Sequence, residues 1–167
     1  HTHTQVLARY PPEKMHDNRA LASALTTDAS FLAGAHWILQ QTLAHPPNDD
    51  GARPASAFLY RFEFQARAGC SLVPGAYHPA ELAFVFGHPF GLCPFNSAEQ
   101  RLSDTMQEYW TNFAKTGNVN GGGTAFRWPA YDVAHAHSLV LDVKVSTETA
   151  YRQDQINFWH STPWYRT

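Results

Sequence analysis

Four aromatic side chains set two residues apart, Phe58, Tyr60, Phe62 and Phe64, constrain this chain more than any other feature. Successive side chains of an extended strand point to opposite faces, so residues 57–64 read as a β-strand with all four rings on one side. A face that aromatic needs a covering layer, which excludes an isolated hairpin and calls for helices packed on a sheet.

The elements around it supply that layer. After residues 6–10 and a Pro11-Pro12 break, a short helical stretch over residues 17–25 leads to Asp28. Asp28 is the expected N-cap of a second helix, on which Phe31, Ala35, Ile38, Leu39 and Leu43 recur at helical spacing. Pro46-Pro47-Asn48-Asp49-Asp50-Gly51 then reads as an exposed loop. Ser97-Ala98-Glu99-Gln100 has the form of a capping box that opens a long helix. Its stripe is Leu102, Met106, Tyr109, Trp110 and Phe113, with Gly117 just past its end. A short strand at residues 139–141 and a last helix over residues 147–160 complete an α/β order read as one globular unit. Gly121-Gly122-Gly123 reads as a flexible connection.

Composition removes several classes of partner. Of 167 residues, 44% are hydrophobic and 14% aromatic, enough for a core and against disorder. A formal net charge of -2 gives no electrostatic footprint for nucleic acid or an anionic membrane surface. No run reaches the roughly 20 apolar residues of a transmembrane helix, and the first thirty residues lack the zones of a signal peptide. The chain begins His1-Thr2-His3-Thr4 without Met, so further sequence is expected before it. Cys70 and Cys93 form either one bridge in an exported protein or two thiols in a cytoplasmic one.

Between the aromatic strand and the long helix, residues 65–79 form a loop with Gly69, Pro74, Gly75 and Pro79, and it carries His78. A histidine just past a strand, on a loop bounded by Gly and Pro, stands where an imidazole can face a cleft and move protons. Among the other histidines, His135 and His137 would put two imidazoles on one face of a strand. No Cys or carboxylate cluster completes a tetrahedral set beside them, and no metal site is expected. Trp110, Trp128, Trp159 and Trp164 read as core rather than pocket.

The segment Gly75-Ala76-Tyr77-His78-Pro79-Ala80-Glu81-Leu82-Ala83-Phe84-Val85-Phe86-Gly87 resembles the Gly-x-x-His-Gly-x-Glu-Leu-x-Phe-Val-Phe-Gly segment of the type B carboxylesterase and cholinesterase-like family. Other segments fall in the family's order: Thr27-Asp28-Ala29-Ser30-Phe31, the aromatic strand, Tyr109-Trp110-Thr111-Asn112-Phe113-Ala114-Lys115-Thr116-Gly117-Asn118, Trp128-Pro129-Ala130-Tyr131 and Asn157-Phe158-Trp159. Pro79 departs from the pattern, standing where the family usually has Gly, which stiffens the backbone after the histidine.

The resemblance implies the C-terminal portion of an α/β-hydrolase fold, the last sheet strands with flanking helices, over residues 1–167. It implies a carboxylic-ester hydrolase working through a serine acyl-enzyme, with His78 as catalytic base and Glu81 supporting the active site from behind. Tyr77 and Phe84 are candidate pocket walls, and the Cys70 and Cys93 pair flanks the same loop. Gly-x-Ser-x-Gly, an early oxyanion loop and a Glu-Gly acid are missing, so nucleophile and acid are expected upstream, in an N-terminal half of the same protein. Implied partners are therefore a small ester and that half; no cofactor is implied, and the place is secreted or periplasmic, with cytoplasmic left open. The alternative is a catalytically inactive cholinesterase-like adhesion or binding module, which a Gly or Ala at the upstream nucleophile elbow would mark.

Overall fold

A computed structural model describes residues 3–44, 56–89, 92–124 and 126–165. The chain divides into two units, Ala55–Thr149 and a second made of His1–Pro54 with Ala150–Thr167.

In the first unit the aromatic stretch is extended, and its centre, β1 (Tyr60–Phe62), pairs in parallel with β2 (Ser138–Leu141). The ladder runs on at both ends, through the Leu139 amide to the Leu59 carbonyl and the Glu63 amide to the Leu141 carbonyl, each at 2.9 Å. β3 (Ser146–Glu148) joins β2 antiparallel, giving the order β1-β2-β3 with β1 at one edge. Residues 147 and 148, read as the start of the last helix, therefore belong to a strand, as the β-branched Thr147 and its partner Leu139 favour.

Two helices cover the rings of β1: short α4 (Glu81–Val85) and long α5 (Ser97–Thr116). Phe62 and Phe64 pack on Phe84, Phe58 and Tyr60 on Trp128, and Tyr60 also on Trp110. Leu102, Met106 and Tyr109 of the predicted α5 stripe are buried, whereas Phe113 at its far end is exposed. The capping box sits one residue earlier than Ser97. Asn96 caps the Ala98 and Glu99 amides, and Glu99 reaches back to the Asn96 N–H at 2.8 Å. At the other end Gly117 closes the helix in the left-handed conformation, φ 71°. Gly121 is more than a flexible link, because a Cβ there would meet Asn112 Cγ at 2.5 Å.

In the second unit, α1 (His3–Arg9) and α2 (Asn18–Thr26), capped by Asp17, precede α3 (Ala33–Ala44) and α6 (Gln153–His160). Asp28 is no N-cap: a π-helical turn, Thr27–Leu32, joins α2 to α3 without a break. The π turn admits an extra residue and rotates the stripe, so Ala33 and His36 are buried while Phe31 and Ile38 are exposed. Asp28 is buried instead and accepts from Arg152 Nε and Nη2 at 2.8 and 2.5 Å and from the Tyr10 hydroxyl at 2.8 Å. Trp159 Nε1 donates to Tyr10 in turn, at 2.7 Å. Burial, helped by the Asp28 carboxylate, pushes the Tyr10 phenol up to about 12. Trp128 and Trp159 are core as read and Trp110 is half-buried, but Trp164 is exposed. The loop at residues 46–51 lies outside the described residues.

Candidate active site

The His78 segment is held where a strand ends and two helices begin. Leaving β1, the chain passes Arg67, whose guanidinium donates to the Glu99 carboxylate at 2.8 and 3.1 Å and to the Pro94 carbonyl at 2.9 Å. Glu99 is buried although Arg67 is exposed, and the two-pronged contact ties the loop to the first turn of α5. A disulfide joins Cys70 to Cys93, and the Leu92 amide donates to the Cys70 carbonyl at 2.9 Å. The loop is thus fastened to the segment before α5 at two successive points.

Beyond Gly75, which takes φ 79°, the chain turns through Tyr77 and His78 to a cis His78-Pro79 bond. The Ala80 amide closes that turn on the Tyr77 carbonyl at 2.7 Å, and α4 starts directly after it. α4 is pinned in turn: the buried Ser103 hydroxyl donates to the Phe84 carbonyl at 2.8 Å, and Phe84 stacks on Phe95 with centroids 4.8 Å apart. His78 projects from this scaffold as an exposed side chain.

Glu81 is half-buried in the first turn of α4, where a carboxylate suits the positive end of the helix. Together with burial, the larger cause, its charge raises the pKa of the Tyr60 phenol. Tyr77 and Phe84 line one open cleft together with Phe64, Arg67 and the Cys70 to Cys93 bridge, while Phe84 is also part of the core. His78 is not among the residues lining that cleft. Arg67 and Glu99 are the anchors that sequence reading missed as a pair. Glu99 carried a signal as a helix-start acid, but nothing in the spacing links it to a residue 32 positions earlier.

This order, an aromatic strand, a fastened loop bearing one exposed imidazole, then a short and a long helix, can be compared with known proteins. The profile of the carboxylesterase family matches residues 2–159. The chain belongs to that family. Carboxylesterase 4A of Bos taurus is 38% identical over 150 residues, which is 86% of this chain and 25% of that protein. Carboxylesterase 5A of Homo sapiens is 30% identical over 173 residues, 97% of this chain and 29% of that protein. Among solved structures, a PNB esterase matches 65% of this chain and 23% of its own, with a TM-score of 0.56 and 27% identity. A thermophilic PNB esterase covers 89% of the chain and 35% of its own at a TM-score of 0.54; at 23% identity that likeness speaks for the fold alone. The small mixed sheet with flanking helices is thus part of an α/β-hydrolase fold, and the chain spans about a quarter of the length of the carboxylesterases it matches. Among the described residues no helix is long and apolar enough to cross a membrane.

Proposed function

We propose that this carboxylesterase-family chain supplies the catalytic base, His78, to a carboxylic-ester hydrolase whose serine nucleophile, oxyanion donors and acid lie in a preceding part of the same protein. His78 takes the proton from the serine as it attacks the ester carbonyl and delivers it to the leaving alcohol. It then activates the water that releases the acyl group. The observation carrying this reading is the placement of His78, exposed on a loop fastened by Arg67 to Glu99 and Cys70 to Cys93. A base has to be exposed to its substrate yet held to within fractions of an ångström, and such fastening serves both needs.

The preceding part also answers two needs of the fold. β1 has no second strand partner on its outer edge among the described residues. Leu72, Val73, Leu82, Phe86 and Leu92, on and around the His78 loop, are all exposed. A docked N-terminal half would pair that edge and cover these side chains. Glu81 and Tyr77 are assigned to steadying the imidazole and bounding the substrate, Phe84 to backing the pocket wall. The disulfide suits an oxidising compartment, so we place the protein outside the cytoplasm, secreted or periplasmic.

A fluorophosphonate that traps activated serines tests this reading in the intact protein. Wild type is expected to be labelled on one upstream serine, and His78→Ala to lose that labelling while remaining folded. Equal labelling of both would remove His78 from the mechanism. No labelling of folded wild type would favour an inactive binding module.

A further inference from the structure

His135 and His137 do not lie on a strand. His135 ends a turn over residues 133–135 and His137 follows it just before β2, and the structure adds the carboxylate missing from the sequence reading. Asp132 Oδ1 accepts from the His135 backbone N–H at 2.8 Å and stands 2.9 Å from His135 Nδ1. Its other oxygen, Oδ2, is 3.5 Å from His137 Nε2. One carboxylate, one Nδ1 and one Nε2 therefore converge with all three donor atoms within 4.8 Å of one another.

The backbone is bent to achieve this. Ala136, between the two histidines, has φ 48°, a left-handed conformation that non-glycine residues rarely adopt. Its methyl is buried, which anchors the turn, while the His135 imidazole is exposed and that of His137 is half-buried. The rings stack with centroids 5.3 Å apart and planes 18° from parallel. Two imidazoles aligned beside a carboxylate form a preorganised nitrogen and oxygen donor set.

We propose that Asp132, His135 and His137 form a surface site for a borderline divalent cation of the zinc, nickel or copper class. Imidazole selects these ions over calcium and magnesium, which prefer oxygen-only shells. Zinc bonds of about 2.0 to 2.2 Å put neighbouring donors roughly 3.4 Å apart. Small rotations, chiefly of the exposed His135 ring, close the gap from the present spacing, and the remaining coordination positions fall to solvent. The bound ion would clamp the turn at residues 132–137 onto the start of β2, the central strand of its sheet. The site is separate in sequence from the His78 loop and does not depend on the proposed hydrolase function.

The test is calorimetric titration of the intact protein with zinc chloride in a non-chelating buffer at neutral pH, with cobalt absorption as a second readout. Wild type should bind one ion more tightly than a His135→Ala/His137→Ala variant by about tenfold or more, with cobalt d–d bands shared by wild type alone. Asp132→Asn keeps an oxygen for the His135 N–H and so preserves the turn, yet should also weaken zinc at least about tenfold by removing the charge. His16→Ala and His88→Ala are expected to leave binding unchanged. Zinc binding that persists in the double histidine variant, or is absent in wild type, would overturn the site and leave an ion-paired turn only. Undiminished binding by Asp132→Asn would overturn the three-donor set.

Discussion

The Arg67 guanidinium meets the Glu99 carboxylate edge on, through Nε at 2.8 Å and Nη2 at 3.1 Å, and so couples the loop of His78 to the N-terminus of α5. Arg67 is partly exposed but Glu99 is almost wholly buried, so losing the arginine leaves a carboxylate that, among the described residues, keeps the Asn96 amide as its donor. Arg67→Met should cost about 1 to 3 kcal/mol in denaturant unfolding. In the intact protein it should lower kcat for an ester more than it changes KM, because a loosened loop mispositions the base rather than the substrate. A pure stability loss with unchanged kcat would show that this anchor does not serve the site.

The disulfide makes a second, independent fastening. Cys70 and Cys93 are 23 residues apart, and a cross-link closing such a loop stabilises by about 3 kcal/mol in the chain-entropy account. Thiol titration under denaturing, non-reducing conditions should find no free thiol in this chain. Cys70→Ser/Cys93→Ser should lower the unfolding free energy by roughly 2 to 4 kcal/mol.

How much of this was legible in the sequence follows from range. The aromatic strand, the α5 stripe and Gly117 are local patterns, and they appear where the alternation and the helical period put them, except that the paired strand is shorter, Tyr60–Phe62, and Phe113 at the end of the stripe is exposed. The His78 loop was legible through its resemblance to a family segment. The failures lie where a distant residue or an irregular turn decides the outcome. Asp28 looks like a cap until Arg152, 124 positions away, draws its carboxylate inward. The π turn at Thr27–Leu32 shifts the buried face of α3 onto Ala33 and His36, which no ideal helical period predicts. Ala136 in a left-handed conformation brings Asp132 to two histidines that spacing alone would lay along a strand.

The pair of buried Asp28 and half-buried Arg152 yields a third prediction. Removing Arg152 leaves the buried Asp28 carboxylate with the Tyr10 hydroxyl but without this counter-charge, so Arg152→Gln should destabilise by about 2 to 4 kcal/mol. Asp28→Asn/Arg152→Gln, which leaves no lone charge, should cost less than the sum of the two single changes. Unfolding midpoints of the four proteins of the cycle in denaturant check this.

His36 sets a pH dependence. Burial, and next the neighbouring His160, lower its pKa from 6.5 to about 4. The folded imidazole stays neutral while the unfolded one takes up a proton, so stability falls as pH drops from about 6.5 towards 4. The full loss from this group is about 3 kcal/mol, reached near the lower value. Unfolding free energies measured between pH 7 and 4.5 should show this slope in wild type and a shallower one in His36→Gln.

The central claim concerns His78, and steady-state hydrolysis of a chromogenic ester by the intact protein and its His78→Ala variant tests it most directly. The account predicts a fall in kcat/KM of at least about a thousandfold, with the circular dichroism spectrum and unfolding midpoint unchanged, as expected when one member of a triad is lost. Turnover within about tenfold of wild type would contradict it.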